Sequence, residues 1–238
     1  MPVITDEPPA LPPAQLELDH IFVFVTLQDS ETKPKEATLL EQAGLQESYR
    51  RAHPGQGTTN ICYCFDNCYL ELLWLTNEQE ARSPLIARTA LAERAHWKTN
   101  GASPFGLALR RTVQHPFPLA TWDYLPPYLP PGMTIPVSLS SQDPLHPFIF
   151  QSPGGKRPDQ WENSNRQNFS DLDLIELQLP QDEGFSEDLE KLRQISLIPA
   201  ITYRNTSPGM QLSIKDLTGR ITHHLQLPSC RITPAPAS

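Results

Sequence analysis

The chain has 238 residues, enough for one large domain or two small packed units. Its 19 lysines and arginines are outnumbered by 27 aspartates and glutamates, and the net charge of −8 argues against nucleic acid as a partner. No apolar run is long enough to cross a bilayer. Residues 1–15, a predicted flexible arm, have no apolar signal-peptide core. We therefore expect a cytoplasmic protein with no membrane partner and with reduced thiols on its four cysteines.

The first folded segment is predicted over residues 16–80. Residues 18–25 form a strand, residues 34–43 a short helix, and residues 45–51 a second strand. A Gly-containing loop at residues 53–58 then leads into a hairpin. The predicted order of elements is β-α-β-β-β.

The hairpin consists of two apolar runs, at residues 61–65 and 67–75, which flank an Asp-Asn turn. Glu71 is the single charged residue inside the second run, with no basic residue within five positions on either side. A buried carboxylate without a partner is costly. Glu71 therefore either meets a partner from elsewhere in the chain or lines a wet cavity.

Residues 81–171 are predicted to be a large insertion. It begins with a helix at about residues 85–98, followed by a strand at residues 105–110. Prolines then favour extended loops, with short extended pieces near residues 122–124, 135–139 and 148–150. The Gly-containing residues 152–157 lack the Lys-Ser/Thr ending of a phosphate-binding loop and are interpreted as an ordinary loop.

The β-α-β-β-β order is predicted a second time over residues 172–228, where residues 172–177 match residues 18–23 in pattern and position. Two such units packed together would form an incomplete barrel around a cavity. The predicted fold is therefore α+β, with two βαβββ modules separated by the insertion. Residues 229–238 are predicted to be a flexible tail.

Four short runs stand out: Leu-Asp-His-Ile at residues 18–21, His-Pro-Gly-Gln-Gly-Thr at 53–58, Tyr-Leu-Glu-Leu-Leu-Trp at 69–74 and Gly-Ala-Ser-Pro-Phe-Gly at 101–106. They resemble the glyoxalase-like domain family, which belongs to the vicinal oxygen chelate superfamily together with glyoxalase I, bleomycin-resistance proteins and extradiol dioxygenases. The likeness covers most of residues 16–228.

The resemblance implies paired βαβββ modules around a divalent metal ion, with ligands on the first and last strands of each module. It places His20 and Glu71 at the ligand positions of the first module. The last strand of the second module offers His223 or His224, and His223 is the preferred match to Glu71. Leu174 occupies the position that matches His20 and cannot bind a metal ion. Three ligands would suit one Zn, Ni, Fe or Mn ion with an open coordination position. The alternative is that no metal ion binds and only the cavity is kept.

Without a metal ion, His20 and Glu71 could hydrogen-bond to each other, or Glu71 could act as a general base. A single histidine on an apolar strand face is also commonly a hydrogen-bonded core residue. The pairing of His20 with Glu71 in one fold favours a catalytic role for both.

The remaining candidate residues are predicted to contact the substrate. His53, Gln56 and Thr58 lie in the loop at the expected pocket entrance, and Asn60 follows them; the alternative is an ordinary turn. Arg110 could receive an anionic group of the substrate or form a structural ion pair. Trp122 is proposed as a lid over the cavity.

The leading hypothesis is a small-molecule enzyme of the lyase or isomerase type that acts on an oxygen-rich organic substrate, as a monomer or homodimer. The alternative is a protein that binds or sequesters a small molecule without chemistry, as the resemblance to bleomycin-resistance proteins implies. The fold itself does not distinguish these functions.

Overall fold

The computed structural model describes residues 16–112, 117–163, 165–180, 186–204 and 207–236. The flexible arm predicted for residues 1–15 lies outside the described residues. Within them, no helix is both long enough and apolar enough to span a membrane.

The strands are β1 (Leu16–Phe24), β2 (Tyr49–His53), β3 (Thr58–Cys64), β4 (Tyr69–Leu75), β5 (Phe105–Arg111), β6 (Thr121–Tyr124), β7 (Ile135–Ser138), β8 (Phe148–Gln151), β9 (Leu172–Pro180), β10 (Ala200–Arg204), β11 (Gly209–Lys215), β12 (Ile221–Leu227) and β13 (Arg231–Pro234). The α-helices are α1 (Lys35–Gln42), α2 (Glu78–Ala81), α3 (Leu91–Ala95), α4 (Trp97–Asn100) and α5 (Glu187–Gln194). Short 3-10 helices lie at Ala87–Thr89, Leu139–Gln142 and Pro158–Gln160.

An eight-stranded sheet forms the larger part of this α+β fold, with the strand order β2-β3-β4-β1-β5-β8-β7-β6. The elements from β1 to β4 follow the predicted order β-α-β-β-β. β1 lies at the centre of the sheet, parallel to β4 and antiparallel to β5. The predicted hairpin is formed by β3 and β4, in which Cys62 lies opposite Glu71.

The central segment does not behave as an insertion, because it supplies the other half of this sheet. β5 to β8 are paired as β1 to β4 are: β5 is parallel to β8, which is followed by β7 and β6. The cavity-forming partner of the first unit is therefore residues 105–151, where the prediction placed residues 172–228. The helix predicted at residues 85–98 is also broken into short pieces, with Ala90 in the left-handed region at a φ of 53°.

Residues 172–234 form a separate five-stranded sheet with the order β10-β9-β11-β12-β13. The predicted element order is present, but the pairing differs from the first unit. Here the first strand, β9, lies between the second and third strands, whereas β1 lies beside the fourth strand of its unit. The predicted flexible tail contains β13, which pairs with β12.

The two faces of the large sheet are covered differently. One face carries Ile21, Leu72 and Leu107, which belong to one continuous apolar core that also includes residues of α1 and of the five-stranded sheet. Asn67, in the hairpin turn, fixes the two sheets together, because its side chain donates to the carbonyl of Leu172 and accepts from its amide, both at 3.0 Å. The opposite face is free to form a cavity.

The four cysteines are buried and none forms a disulfide. Burial raises the pKa of the Cys62 and Cys68 thiols well above the ordinary value. The cysteines thus behave as small apolar residues, as their position in buried strands predicts.

Candidate acid–base site

The cavity lies on the face of the large sheet that carries Phe22 and Leu73, and its volume is about 460 Å³. At its base are Asp19, His20 and Glu71, a group that we call the floor. These residues are 4%, 6% and 6% exposed, so their charges interact in a medium poorer in water than the surface.

The sides and entrance of the cavity have a different chemistry from the floor. Three rings, of Tyr49, Tyr69 and Trp161, form what we call the aromatic wall. Two exposed cations, Arg51 and Lys156, lie at the entrance, and we call them the mouth cations. The cavity therefore combines a buried acidic floor, an apolar wall and a basic entrance.

A β-bulge in β1 allows two consecutive residues to reach the floor. Side chains normally alternate along a strand, so Asp19 and His20 should face opposite sides. The register with β5 shifts between Leu18 and His20, and both Asp19 and His20 line the cavity as a result. Bulges of this kind re-aim side chains near functional sites.

Asp19 forms a buried ion pair with Arg110 and also hydrogen-bonds to the imidazole of His20. Arg110 Nη1 donates to Asp19 Oδ2 at 3.0 Å, and Asp19 Oδ1 lies 2.8 Å from His20 Nδ1. Burial opposes ionisation of Asp19, but the hydrogen bond from His20 and the charges of His20 and Arg110 lower its pKa below the ordinary value. An ionised carboxylate only accepts hydrogen bonds. His20 therefore carries a hydrogen on Nδ1, and its Nε2 is left to face the cavity.

His20 Nε2 and Glu71 Oε2 lie 3.6 Å apart on the neighbouring strands β1 and β4. Tyr69 stacks on the imidazole with the ring centroids 4.3 Å apart, and the edge of Phe150 packs at 5.4 Å, so the ring has little freedom to rotate. The separation exceeds a direct hydrogen bond. It suits two proton-transfer groups that act on an atom placed between or above them.

Asn60 supports the other oxygen of Glu71. Its Nδ2 donates to Glu71 Oε1 at 2.7 Å, and its Oδ1 accepts from the backbone amide of Arg51 at 2.9 Å. One carboxylate oxygen is thus held in place while Oε2 faces His20. The side chain of Asn60, predicted to touch substrate, positions Glu71.

A second hydrogen-bonded chain orients His53 at the cavity edge. The Tyr124 hydroxyl donates to Gln56 Oε1 at 2.7 Å, and Gln56 Nε2 donates to Thr58 Oγ1 at 2.8 Å. The hydroxyl hydrogen of Thr58 is then available for His53 Nδ1, at 2.9 Å. In that arrangement His53 Nε2 carries a hydrogen, and His53, which lines the cavity, can donate it to a ligand.

Burial, reinforced by the charges of Arg51 and His20 and opposed by Glu71, lowers the pKa of His53 below its ordinary value. The unfolded chain therefore binds a proton at this residue at a higher pH than the folded protein does. Neutral His53 therefore makes its full contribution to the free energy of unfolding above about pH 6.5. This contribution is lost as the pH falls below that value towards the pKa of His53 in the folded protein. In urea titrations between about pH 7 and pH 5, we expect a smaller loss of stability in His53→Gln than in the wild type. An equal loss in both proteins would contradict this assignment.

The residues present do not fit the three-ligand metal site that the family resemblance implies. His223 lies on β12 in the other sheet, where its ring packs edge-on against Phe169 at 5.7 Å, and it does not line the cavity. The cavity-facing neighbours of His20 on β5 and β8 are Ala108 and Phe150, which carry no donor atom. Over the described residues, no group of three or more His, Cys, Asp or Glu side chains could hold a metal ion.

Two further predicted contacts lie elsewhere. Arg110 does not line the cavity: it is 2% exposed and pairs with Asp19 and Glu17, each at 3.0 Å, so the structural ion pair is the alternative that the geometry shows. Trp122 packs under the guanidinium of Arg88, 4.3 Å from the ring centroid, and is not among the residues that line the cavity. Tyr128 and Leu129 from the following loop line the cavity instead. Thr58 also acts indirectly, through His53 and Gln56.

Asp19, Tyr49 and Tyr69 of the aromatic wall, and the mouth cations were not predicted from the sequence to line the cavity. The adjacent Asp-His pair was visible in the sequence, but the bulge that turns both side chains inward was not. The Gly-containing loop that carries Lys156 was interpreted as an ordinary loop, and the structure places it beside the cavity. No sequence signal distinguished Arg51 from its neighbour Arg50.

Comparison with known proteins gives a family match for the first part of the chain. Residues 18–113 match the model of the glyoxalase-like domain. No curated protein matches the chain. Among solved structures, the chain is similar to a hypothetical protein from Staphylococcus aureus at 11% sequence identity and a TM-score of 0.42, with 89% of this chain and 85% of that chain covered. The resemblance seen in the sequence motifs is thus confirmed over residues 18–113, where the chain is similar to the glyoxalase-like domain.

Proposed function

We propose that the protein is a small-molecule enzyme of the lyase or isomerase type, in which Glu71 and His20 transfer a proton at a carbon next to a substrate carbonyl. The observation that carries the proposal is the 3.6 Å approach of His20 Nε2 and Glu71 Oε2 on the buried floor of a cavity. No role in this proposal depends on a metal ion, because the donor set around the floor does not fit one over the described residues.

In the proposed step, Glu71 Oε2 removes the proton from the carbon next to the carbonyl. The electron pair of the C–H bond becomes the carbon–carbon double bond of an enolate, and the carbonyl oxygen gains the negative charge. His53 Nε2–H is the donor at the cavity edge that can stabilise this oxygen. In the tautomer that Asp19 and Arg110 hold, His20 Nε2 carries no hydrogen, so it first accepts the second proton and returns it only as the imidazolium.

The alternative is a binding protein that holds a ligand without chemistry, and the aromatic wall is the feature that favours it. The two functions differ in one observable. An enzyme exchanges the hydrogen next to the carbonyl with solvent, whereas a binding protein retains that hydrogen in its ligand.

The test is proton exchange in heavy water, followed by NMR, over a panel of carbonyl compounds that includes pyruvate, phenylpyruvate, acetoacetate and acetophenone. We expect the folded protein to accelerate deuterium incorporation into at least one of them by about 10²-fold or more over buffer. Ligand binding by panel members without acceleration of exchange in any of them would overturn the proposal and support the binding protein.

A further inference from the structure

We propose that the cavity takes an aromatic carboxylic acid, with its carboxylate at the mouth cations and its ring against the aromatic wall. This names the substrate class of the site above and rests on the proposed function for the reaction, but binding alone can be measured independently of it. Three observations lead to it: the unpaired charge at the entrance, the paired charge at the floor, and the rings between them.

The mouth cations have no carboxylate partner among the described residues. No Asp or Glu oxygen of that part of the chain lies within 4.0 Å of the charged nitrogens of Arg51 or Lys156. The adjacent Arg50, whose side chain lies on the other face of β2, is paired with Glu47 at 3.0 Å. The charge of Arg51 nevertheless acts inside the cavity, where it lowers the pKa of His53 and opposes the rise in the pKa of Tyr128.

The floor carboxylates, in contrast, already have partners. Asp19 accepts from Arg110 and His20, and Glu71 accepts from Asn60 and faces His20. A cationic ligand at the floor would compete with these partners. An anionic group at the entrance would instead meet two cations that have no carboxylate partner in the described part of the chain. One of them is a guanidinium that can bind a carboxylate through two parallel hydrogen bonds.

The aromatic wall lies between these two zones. The ring centroids of Tyr49 and Tyr69 are 6.1 Å apart, those of Tyr69 and Trp161 are 5.9 Å apart, and those of Tyr49 and Trp161 are 6.4 Å apart. The three rings therefore present one surface that favours stacking or edge contacts with a planar ligand. The stack continues to the floor, because Tyr69 lies against the imidazole of His20.

The strand positions give the distance that the ligand must span. Arg51 lies on β2 and Glu71 on β4, with β3 between them and an offset of two residues along the strands, so their backbones are about 12 Å apart. The cavity of about 460 Å³ is within the range of small-molecule sites. A ring system with one carboxylate can reach from the mouth cations towards Glu71 in such a space.

The experiment is isothermal titration calorimetry of the full chain with four compounds that separate the two features of the ligand. They are 2-naphthoate, the uncharged 2-naphthamide, the non-aromatic cyclohexanecarboxylate and the oppositely charged 2-naphthylmethylammonium. We expect 2-naphthoate to bind at least about tenfold more tightly than each of the other three. Equal or tighter binding of the ammonium or the amide would overturn the anion assignment, and equal binding of cyclohexanecarboxylate would overturn the aromatic one.

Variants then locate the carboxylate. Arg51→Gln and Lys156→Gln should each weaken 2-naphthoate binding by about five- to tenfold, and the matched variant Arg50→Gln should leave it unchanged. All three positions are on the surface, so loss of folding is not expected, and a thermal unfolding curve verifies this. Affinity that does not change in Arg51→Gln and Lys156→Gln, or that falls equally in Arg50→Gln, contradicts the proposal.

The failure of this inference is distinguishable from the failure of the proposed function. If 2-naphthoate binds through the mouth cations while no carbonyl compound undergoes exchange, the ligand class stands and the enzyme proposal fails. If exchange occurs but only with uncharged or aliphatic compounds, the enzyme proposal stands and the ligand class is wrong.

Discussion

Replacing Glu71 with glutamine is expected to slow the deuterium exchange of the responsive carbonyl compound by about 10²- to 10⁴-fold. Glutamine keeps the shape of the side chain, and its carbonyl oxygen can still accept the hydrogen bond from Asn60. It cannot accept a proton from carbon. Binding of 2-naphthoate should be retained within about threefold, because the mouth cations and the aromatic wall are unchanged. The measurement is the exchange rate by NMR, together with the dissociation constant by calorimetry.

Glu93→Gln is the matched control for this variant. Glu93 is on α3, near the cavity, but its carboxylate pairs with the exposed Arg82 at 2.8 Å and does not line the cavity. Its exchange rate should equal that of the wild type. An unchanged rate in Glu71→Gln would remove Glu71 from the reaction, and a loss of both rate and binding would point to a collapsed cavity.

Replacing Arg94 with methionine is expected to lower the free energy of unfolding by about 3–5 kcal/mol. Arg94 is fully buried, and its guanidinium donates to five backbone carbonyls, those of Ser103, Ser141, Asp143, Pro144 and His146. Burial lowers its pKa to about 9. Methionine fills similar space but leaves those carbonyls without their donor. Because this loop precedes β8, the cavity wall formed by Phe148 and Phe150 depends on it.

Urea unfolding curves of Arg94→Met, Arg94→Lys and Arg82→Met measure this effect. Arg94→Lys retains a charge and fewer donors, so an intermediate loss of stability is expected, and it remains informative if the methionine variant does not fold. Arg82 forms surface ion pairs, and its replacement should cost less than about 1 kcal/mol. A loss of less than about 1 kcal/mol in Arg94→Met would contradict the role of Arg94 in holding the loop.

The first half of the large sheet could be predicted from the sequence because its strands are long and strongly apolar. The hairpin around Asn67 and the lone charge at Glu71 are local features, and both are found where the pattern places them. The partnership of Glu71 with His20 was implied by the family resemblance and not by the residue pattern alone. In the structure, β1 and β4 are parallel neighbours, and the two side chains lie on one face.

The second half of the sheet could not be recognised in the same way. β6, β7 and β8 have only four residues each, and they lie among prolines that favour extended loops. The positions of these short strands were predicted, but their pairing was not, because pairing depends on contacts distant in sequence. Because residues 172–177 resemble residues 18–23, the segment from residue 172 was predicted to pack against the first unit. His223 was included in the site on that basis.

The arrangement of the floor could not be predicted from residue patterns. Regular alternation places Asp19 and His20 on opposite faces, and a single bulge brings them together. Arg110 was identified as important, but its role depends on that bulge: it holds Asp19 in the ionised form and so fixes the tautomer of His20. A one-residue irregularity of this kind has no signature in a single sequence.

The central claim is that the side chains of the floor transfer protons without a metal ion, and one measurement tests it most directly. The measurement is the exchange rate of the responsive carbonyl compound in heavy water after the protein has been dialysed against a strong chelator, and again after Zn, Ni, Mn or Fe has been added back. The same rate is expected in every sample because, over the residues that the structure describes, no group of three or more His, Cys, Asp or Glu side chains could hold a metal ion. A rate that vanishes with the chelator and returns with one of the metals would contradict it.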